Sequence, residues 1–303
     1  MKIVLICVLA FILDWILGEW QYFHPLVGFG TIANNLEKVI NQGKFLKIKG
    51  LIAVLILVLP LPLFISFKLP DNLFGQCISV LCLYLAVGAK SLKEHSLTVA
   101  TALEQKNLNS ARQNLSLIVS RDTTNLNEHS IVKATIESVL ENGNDAIFAP
   151  LFWFVLAGPA GAILFRIVNT LDAMWGYKNI KFFDFGWAAA KADDLMNLIP
   201  ARLTAFSYCV LGDFKQGIIC WLTQGNKWYS PNAGPVMASG AGALNLALGG
   251  NAVYDGVVKV RPKLGAGREP ILNDIYLAIS LIDKTIYLWL LVILIFNLLV
   301  NLC

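Results

Sequence analysis

Three stretches of this chain, residues 51–67, 73–89 and 286–302, contain no charged residue at all. A bilayer is crossed by about 17–25 consecutive apolar residues, so each stretch is long enough to do it. Pro60 and Pro62 fall inside the first stretch. Membrane helices tolerate prolines where neighbouring groups re-satisfy the freed backbone. Residues 68–72 join the first two stretches, which predicts a helical hairpin with Lys68 and Asp71 at its tip. Two further apolar runs are open in reading. Residues 146–168 hold Gly158-Pro159 near their middle, and residues 203–222 are broken by Asp213, Lys215 and Gln216. Each can be a span, a re-entrant hairpin or an interfacial helix; for residues 146–168 a re-entrant hairpin at Gly158-Pro159 is the expectation, since a single crossing would put residues 169–202 on the side opposite residues 90–145. The reading is an all-α polytopic membrane protein with about four to six spans, taken as one unit over residues 1–303.

Composition agrees. Of the 303 residues, 56% are hydrophobic and 15% charged, against about 25% charged in soluble domains. The net charge of +4 is mild, and no basic run is dense enough for nucleic acid. The lysines at 38, 44, 47 and 49 favour a cytoplasmic side for the first polar stretch. The run 3–13 behind Lys2 resembles a signal peptide, but no small-residue cleavage site follows, and it is expected to stay as a first span. Cys7, Cys77, Cys82, Cys209, Cys220 and Cys303 lie in or beside apolar stretches without any C-x-x-C pair, which suits packing. His24, His95 and His129 are scattered and give no zinc spacing.

Polar residues gather between the spans. Residues 127–142 predict a helix with Asn127 as N-cap and Val132, Ile136, Val139 and Leu140 as its apolar stripe. Lys133, Glu137 and Glu141 stand four apart on the other face, and Asn142-Gly143 is a natural stop. A second helix is expected over 185–198, ending before Pro200. Ahead of the first helix, Ser120-Arg121-Asp122-Thr123 sets a guanidinium beside a carboxylate and a hydroxyl. It suits phosphate or carboxylate binding, or a salt bridge at the helix start. Glu137, Glu141 and Asp145 recur every four residues, a ladder fit for Mg²⁺ with substrate phosphates or for a solvated helix face. Asn169 and Asp172 share a face, and Asp184, Trp187, Asp193, Asp194, Asn197 and Arg202 follow. Such groups are costly near membrane depth unless paired or functional. The glycines of 240–250 can approach a phosphate or serve close helix packing, and Arg261–Gly265 adds a basic turn. No Walker or dinucleotide-binding fingerprint occurs.

In order, the segments 120–123, 136–142, 149–153, 168–172, 176–179, 184–187, 193–194, 199–203, 230–234, 242–244, 248–250 and 261–265, with Leu13-Asp-Trp-Ile-Leu-Gly18 and His24-Pro25, resemble the adenosylcobinamide-phosphate synthase family, known as CobD or CbiB. The resemblance runs over nearly the whole chain. Two departures stand out. Glu19-Trp20 replaces a frequent Asp-Pro, and Pro235-Val236-Met237 replaces a common Trp-Pro-Glu.

The resemblance implies an enzyme of the inner cell membrane, a ligase spending ATP with Mg²⁺. It would join (R)-1-amino-2-propanol O-2-phosphate, or ethanolamine phosphate, to the propionate carboxylate of adenosylcobyric acid. The corrinoid is substrate and not a resident group. Membrane lipid and later enzymes of the nucleotide-loop pathway are the further partners, with no nucleic acid. The reaction needs cationic phosphate clamps, a metal and a base. On this reading Arg121 and Arg202 clamp phosphates, with Asp122 and Thr123 beside the first. Glu137, Glu141, Asp193 and Asp194 supply Mg²⁺ ligands and the base, and Asp172 and Asp184 are second choices. Asn142, Asn169 and Asn232 orient substrates, and Tyr177 and Trp187 pack on a corrin or adenine face. An AmpE-like membrane sensor or a small-molecule transporter is the alternative.

Overall fold

The computed structural model describes residues 2–19, 25–254 and 257–302, apart from the side chains of residues 254, 301 and 302. Trp20, His24 and Cys303 lie outside the described residues. In chain order the helices are α1 (Lys2–Leu17), α2 (Pro25–Ile40), α3 (Leu46–Val58), α4 (Pro60–Lys68), α5 (Leu73–Ala86), α6 (Ala89–Glu104), α7 (Leu108–Ser116) and α8 (Glu128–Gly143). After a π-turn at Asn144–Phe148 come α9 (Ala149–Trp175), α10 (Trp187–Met196), α11 (Leu198–Leu211), α12 (Phe214–Gln224), α13 (Ala233–Ala243) and α14 (Asn273–Leu302). Four short strands, β1 (Leu248–Gly249), β2 (Ala252–Tyr254), β3 (Val257–Lys259) and β4 (Lys263–Leu264), lie between α13 and α14. They form two antiparallel pairs, β1 with β4 and β2 with β3.

The protein is an all-α polytopic membrane protein. Four helical runs are long and apolar enough to cross a membrane: Leu46–Lys68, Leu73–Glu104, Glu128–Trp175 and Asn273–Val300. The chain divides into two compact units interleaved in sequence. The first comprises residues 1–88, 149–197 and 296–303, and the second 89–148 and 198–295.

In the first unit the expected hairpin is present. Its first leg breaks at Leu59, before Pro60, and Asn72 caps α5 by accepting from the Gly75 N–H at 3.0 Å. The tip residue Asp71 pairs with Lys2 at 3.4 Å. α1 has 16 residues, which leaves it out of the four long runs, and it packs along α5. The core gathers Val54, Val58, Val168, Leu171, Trp175 and Phe185 from α3, α9 and the segment before α10.

The 146–168 run reverses direction. Ala157 and Gly158 leave helical geometry, Gly158 at φ 65 and ψ −159. In a straight helix Trp153 and Gly161 would stand about 12 Å apart. Here a Cβ on Gly161 would lie 2.4 Å from the Trp153 carbonyl oxygen. Glycine supplies the positive φ, and Pro159 starts the returning helix where a missing N–H costs nothing.

In the second unit α8 starts as its sequence predicts, with Asn127 accepting from the Ser130 N–H at 2.9 Å, but Asn142-Gly143 does not stop it: the helical run continues through the π-turn into α9. The 203–222 run is two helices rather than a span. Asp213 breaks it by capping α12 through the Gln216 N–H at 3.0 Å. α13 is buried along its whole length, and its small residues let α8, α11 and α12 approach it closely. The C-terminal part of this unit is tied by Arg268, whose two terminal nitrogens both bond Asp274 at 2.7 Å.

Candidate active site

In the second unit the sequence places Arg121 in the turn before α8 and Glu137 on the helix, and the fold joins them. Glu137 turns away from Lys133 and from solvent, and its side chain is 2% exposed. Lys133 instead faces Glu269 at 3.6 Å. One Glu137 oxygen, Oε2, accepts from Arg121 Nη2 and from Arg261 Nη1 at 3.0 Å. The other, Oε1, accepts from Arg261 Nη2 at 3.1 Å and from the Gly249 backbone N–H at 2.8 Å. A buried carboxylate needs this many donors to offset its lost hydration.

The strands deliver those donors. β1 brings Gly249 beside α8, and the turn before β4 brings Arg261. Gly249 has φ 72, and a Cβ there would lie 2.1 Å from the Pro262 carbonyl oxygen, so only glycine fits. Arg261 also donates from Nε to the Gly250 carbonyl at 2.9 Å and lies over the Trp228 ring, 5.1 Å from its centroid. Arg261, Trp228 and Gly249 carry no assigned role in the sequence reading. The signal for Arg261 was its place in the 261–265 motif.

The neighbouring turn is fixed as well. The Asp122 N–H donates to the Val253 carbonyl at 3.0 Å. The Asp122 carboxylate accepts from the Thr124 hydroxyl at 2.6 Å and its N–H at 2.9 Å. Those bonds, the hydroxyl first, hold its pKa below the usual carboxylate value. Thr123 is buried. Asp122 therefore shapes the turn that carries Arg121.

A second guanidinium is held without a carboxylate. Arg202 donates to the Leu198 carbonyl at 3.0 Å, the Pro231 carbonyl at 3.0 Å and the Asn232 side-chain oxygen. Those acceptors are neutral, and among the described residues no acidic side chain forms an ion pair with it. Tyr229, in the same loop, donates to the Val260 carbonyl at 2.9 Å. One segment, 228–232, thus supports both Arg202 and Arg261. Asn142 donates back to Ser138, at 2.9 Å to its carbonyl and 3.0 Å to its hydroxyl.

The fold treats the four-residue ladder of Glu137, Glu141 and Asp145 unequally: both oxygens of Glu137 are taken by donors of Arg121, Arg261 and Gly249. The π-turn after Gly143 alters the helical register. Glu141 is half-buried one turn beyond Glu137. Among the described residues no three His, Cys, Asp or Glu side chains form a group that could hold a metal ion.

The first unit holds the other candidates. Asp193, on α10, accepts from Asn169 Nδ2 on α9 at 3.1 Å and from Asn197 Nδ2 at 3.0 Å. Burial pushes its pKa up, the two amides oppose that rise, and the adjacent Asp194 charge adds to it. Asp194 itself faces Lys191 at 3.3 Å. Asp184 meets Lys47 at 3.5 Å in a solvated pair. Asp172 lies against Gly176, where a Cβ would be 2.0 Å from its Oδ1. Tyr177 and Trp187 are about half exposed, at 49% and 47%. The structure thus joins Arg121 with Glu137, Arg202 with Asn232, and Asn169 with Asp193. Asp184 and Asp194 each meet a lysine of their own unit.

The CobD/Cbib protein family matches residues 7–282. A protein of Chromobacterium violaceum named "Cobalamin biosynthesis protein CobD" is 48% identical over 290 residues, covering 93% of this chain and 92% of the relative. One of the same name from Stutzerimonas stutzeri is 48% identical over 298 residues, covering 97% and 98%. Another from Leptospira interrogans is 39% identical over 270 residues, covering 85% of each. No solved structure gives a significant match. A family match across nearly the whole chain, with relatives this similar over almost their full lengths, means that the chain belongs to the CobD/Cbib family.

Proposed function

We propose that this chain is an adenosylcobinamide-phosphate synthase, forming an amide between adenosylcobyric acid and an amino alcohol phosphate at the expense of ATP. Its family makes it a protein of cobalamin biosynthesis; the ligation is our reading of how it acts. The observation that carries this reading is two anchored sites of uncancelled positive charge: Arg202, held by neutral acceptors, and the cluster in which Arg121 and Arg261 share the single carboxylate of Glu137. A reaction between a carboxylate, ATP and an amine phosphate brings three anions together. Arginine forks suit phosphate oxygens best.

A carboxylate does not react usefully with an amine until one of its oxygens becomes a leaving group. In the proposed reaction the propionate oxygen attacks the γ-phosphorus, the bond to ADP breaks, and an acyl phosphate results. The amine nitrogen then attacks the acyl carbon, phosphate leaves, and a base takes the ammonium proton. Arg121 and Arg202 hold the phosphate oxygens through both steps. Asp193 suits the base, because its raised pKa brings proton affinity nearer neutral pH. Asn142, Asn169 and Asn232 orient the substrates, and Tyr177 and Trp187 offer faces to the corrin or adenine ring. Asp172 and Asp184 are the reserve carboxylates.

Mg²⁺ is usually held by one or two carboxylates, with phosphates and water completing its shell. Asp193 with Asp194 in the first unit, or Glu141 in the second, would meet that modest demand; Glu137 does not, because guanidiniums occupy both of its oxygens. When bound, the ion would draw negative charge from the γ-phosphoryl oxygens. A choice between aminopropanol phosphate and ethanolamine phosphate rests on one methyl group, worth about 1–3 kcal/mol.

The test is growth of a synthase-deficient strain that depends on cobalamin and is fed cobyric acid. Wild-type protein restores growth, and Arg121→Ala, present in the membrane at equal level, does not. Absence of rescue by well-expressed wild type would remove the ligase reading.

A further inference from the structure

The arrangement around Glu137 contains more positive charge than a buried carboxylate requires. Two guanidiniums meet one anion, and the cluster keeps one positive charge. Its location follows from exposure and from bonding. Arg261 is 3% exposed and meets both Glu137 oxygens, so it matches the carboxylate as a fork. It is held further by the Gly250 carbonyl and the Trp228 ring. Arg121 is 11% exposed, and only Nη2 is engaged with Glu137. The surplus charge therefore resides at the more accessible guanidinium, which retains donors for a ligand.

We propose that Arg261 is a positioning residue: it neutralises Glu137 so that the Arg121 guanidinium, held in place by the same carboxylate, stays available to a substrate phosphate. Without Arg261, Glu137 would be matched by Arg121 alone, and the pair would be neutral. Glu137 on this account is neither base nor metal ligand; it is the bracket on which two arginines are mounted. The identification of the anion as a substrate phosphate rests on the ligation proposed above. The charge arrangement itself does not.

The account makes a prediction that a simple packing role does not. Arg261→Met should weaken binding of inorganic pyrophosphate to the purified full-length protein by about tenfold or more, the scale of one charged hydrogen bond. Adding Glu137→Gln to that variant should restore binding to within about threefold of wild type, because Arg121 is then free of its counter-charge. Calorimetry on protein in lipid nanodiscs reads this without turnover, so loss of the ligation reading would leave the result interpretable. In turnover, Arg261→Met should raise the KM of one phosphate-bearing substrate more than it lowers kcat. Whether that substrate is ATP or the amine phosphate identifies which one Arg121 holds. A double variant binding as weakly as the single one, or an Arg261→Met protein binding normally, overturns the proposal. If Arg261→Met does not fold, Arg261→Lys carries the test, since it keeps the charge. Pyrophosphate affinity within about threefold of wild type then supports the proposal, and a tenfold loss contradicts it.

Discussion

At the scale of single residues, the chain places carboxylates in two contrasting settings. Glu137 is buried between two guanidiniums and one backbone N–H donor. Asp193 is buried among neutral amides with Asp194 beside it. The second setting has a consequence for pH. Burial raises the Asp193 pKa in the fold, so the folded chain holds that proton more tightly than the unfolded one. The stability it contributes is complete below the ordinary carboxylate range, about pH 4, and is lost as pH rises through the raised folded value. Asp193→Asn cannot ionise, so its thermal midpoint should decline less than wild type between pH 4 and pH 8. Parallel profiles would show that Asp193 ionises normally in the fold. Arginine sites were partly legible at this scale: Arg121 and Arg202 stand out as donors beside polar turns. The role of Arg261 was not, because a distance of 124 residues separates it from Glu137, and no local pattern reports a pairing made by tertiary folding.

At the scale of elements, local signals fixed most boundaries. Asn72, Asn127 and Asp213 each accept an N–H bond at the start of the helix that follows them, and capping chemistry is visible in sequence. Periodicity alone does not give direction, but the Gly158-Pro159 pair does: residues 146–168 turn back there, as the re-entrant hairpin expected from the sequence. A test uses the sign of a stability change. Gly158 is at φ 65 with nothing within 4 Å of where a Cβ would be, so any cost of Gly158→Ala comes from the backbone alone. Destabilisation of about 1–3 kcal/mol by that change is expected at such a conformation. A continuous helix would instead gain about 1 kcal/mol from losing a glycine. Denaturation midpoints of the two proteins decide between them. The four-residue repeat of Glu137, Glu141 and Asp145 is interrupted within itself: a π-turn just beyond Gly143 alters the register between Glu141 and Asp145.

At the scale of the whole molecule, hydropathy foretold an all-α membrane protein, and four long apolar helical runs bear that out. It did not foretell the two interleaved units, since α9 and α10 return to the unit that the first 88 residues begin. The family's common glutamate after Ser-Pro-Asn-Ala-Gly has no counterpart here. Val236 and Met237 are both 1% exposed within α13, so that position is packing in this chain, and the proposed chemistry falls to other carboxylates. In the proposed ligation, ADP formation and amide formation are tied one to one. The most direct measurement is therefore the stoichiometry of the purified protein in nanodiscs with ATP, Mg²⁺, adenosylcobyric acid and aminopropanol phosphate. We expect one ADP and one phosphate for each adenosylcobinamide phosphate, no ADP when either the corrinoid or the amine phosphate is left out, and loss of all products in Arg121→Ala. ATP turnover indifferent to the corrinoid, or no amide product from folded protein with every substrate present, would contradict the account.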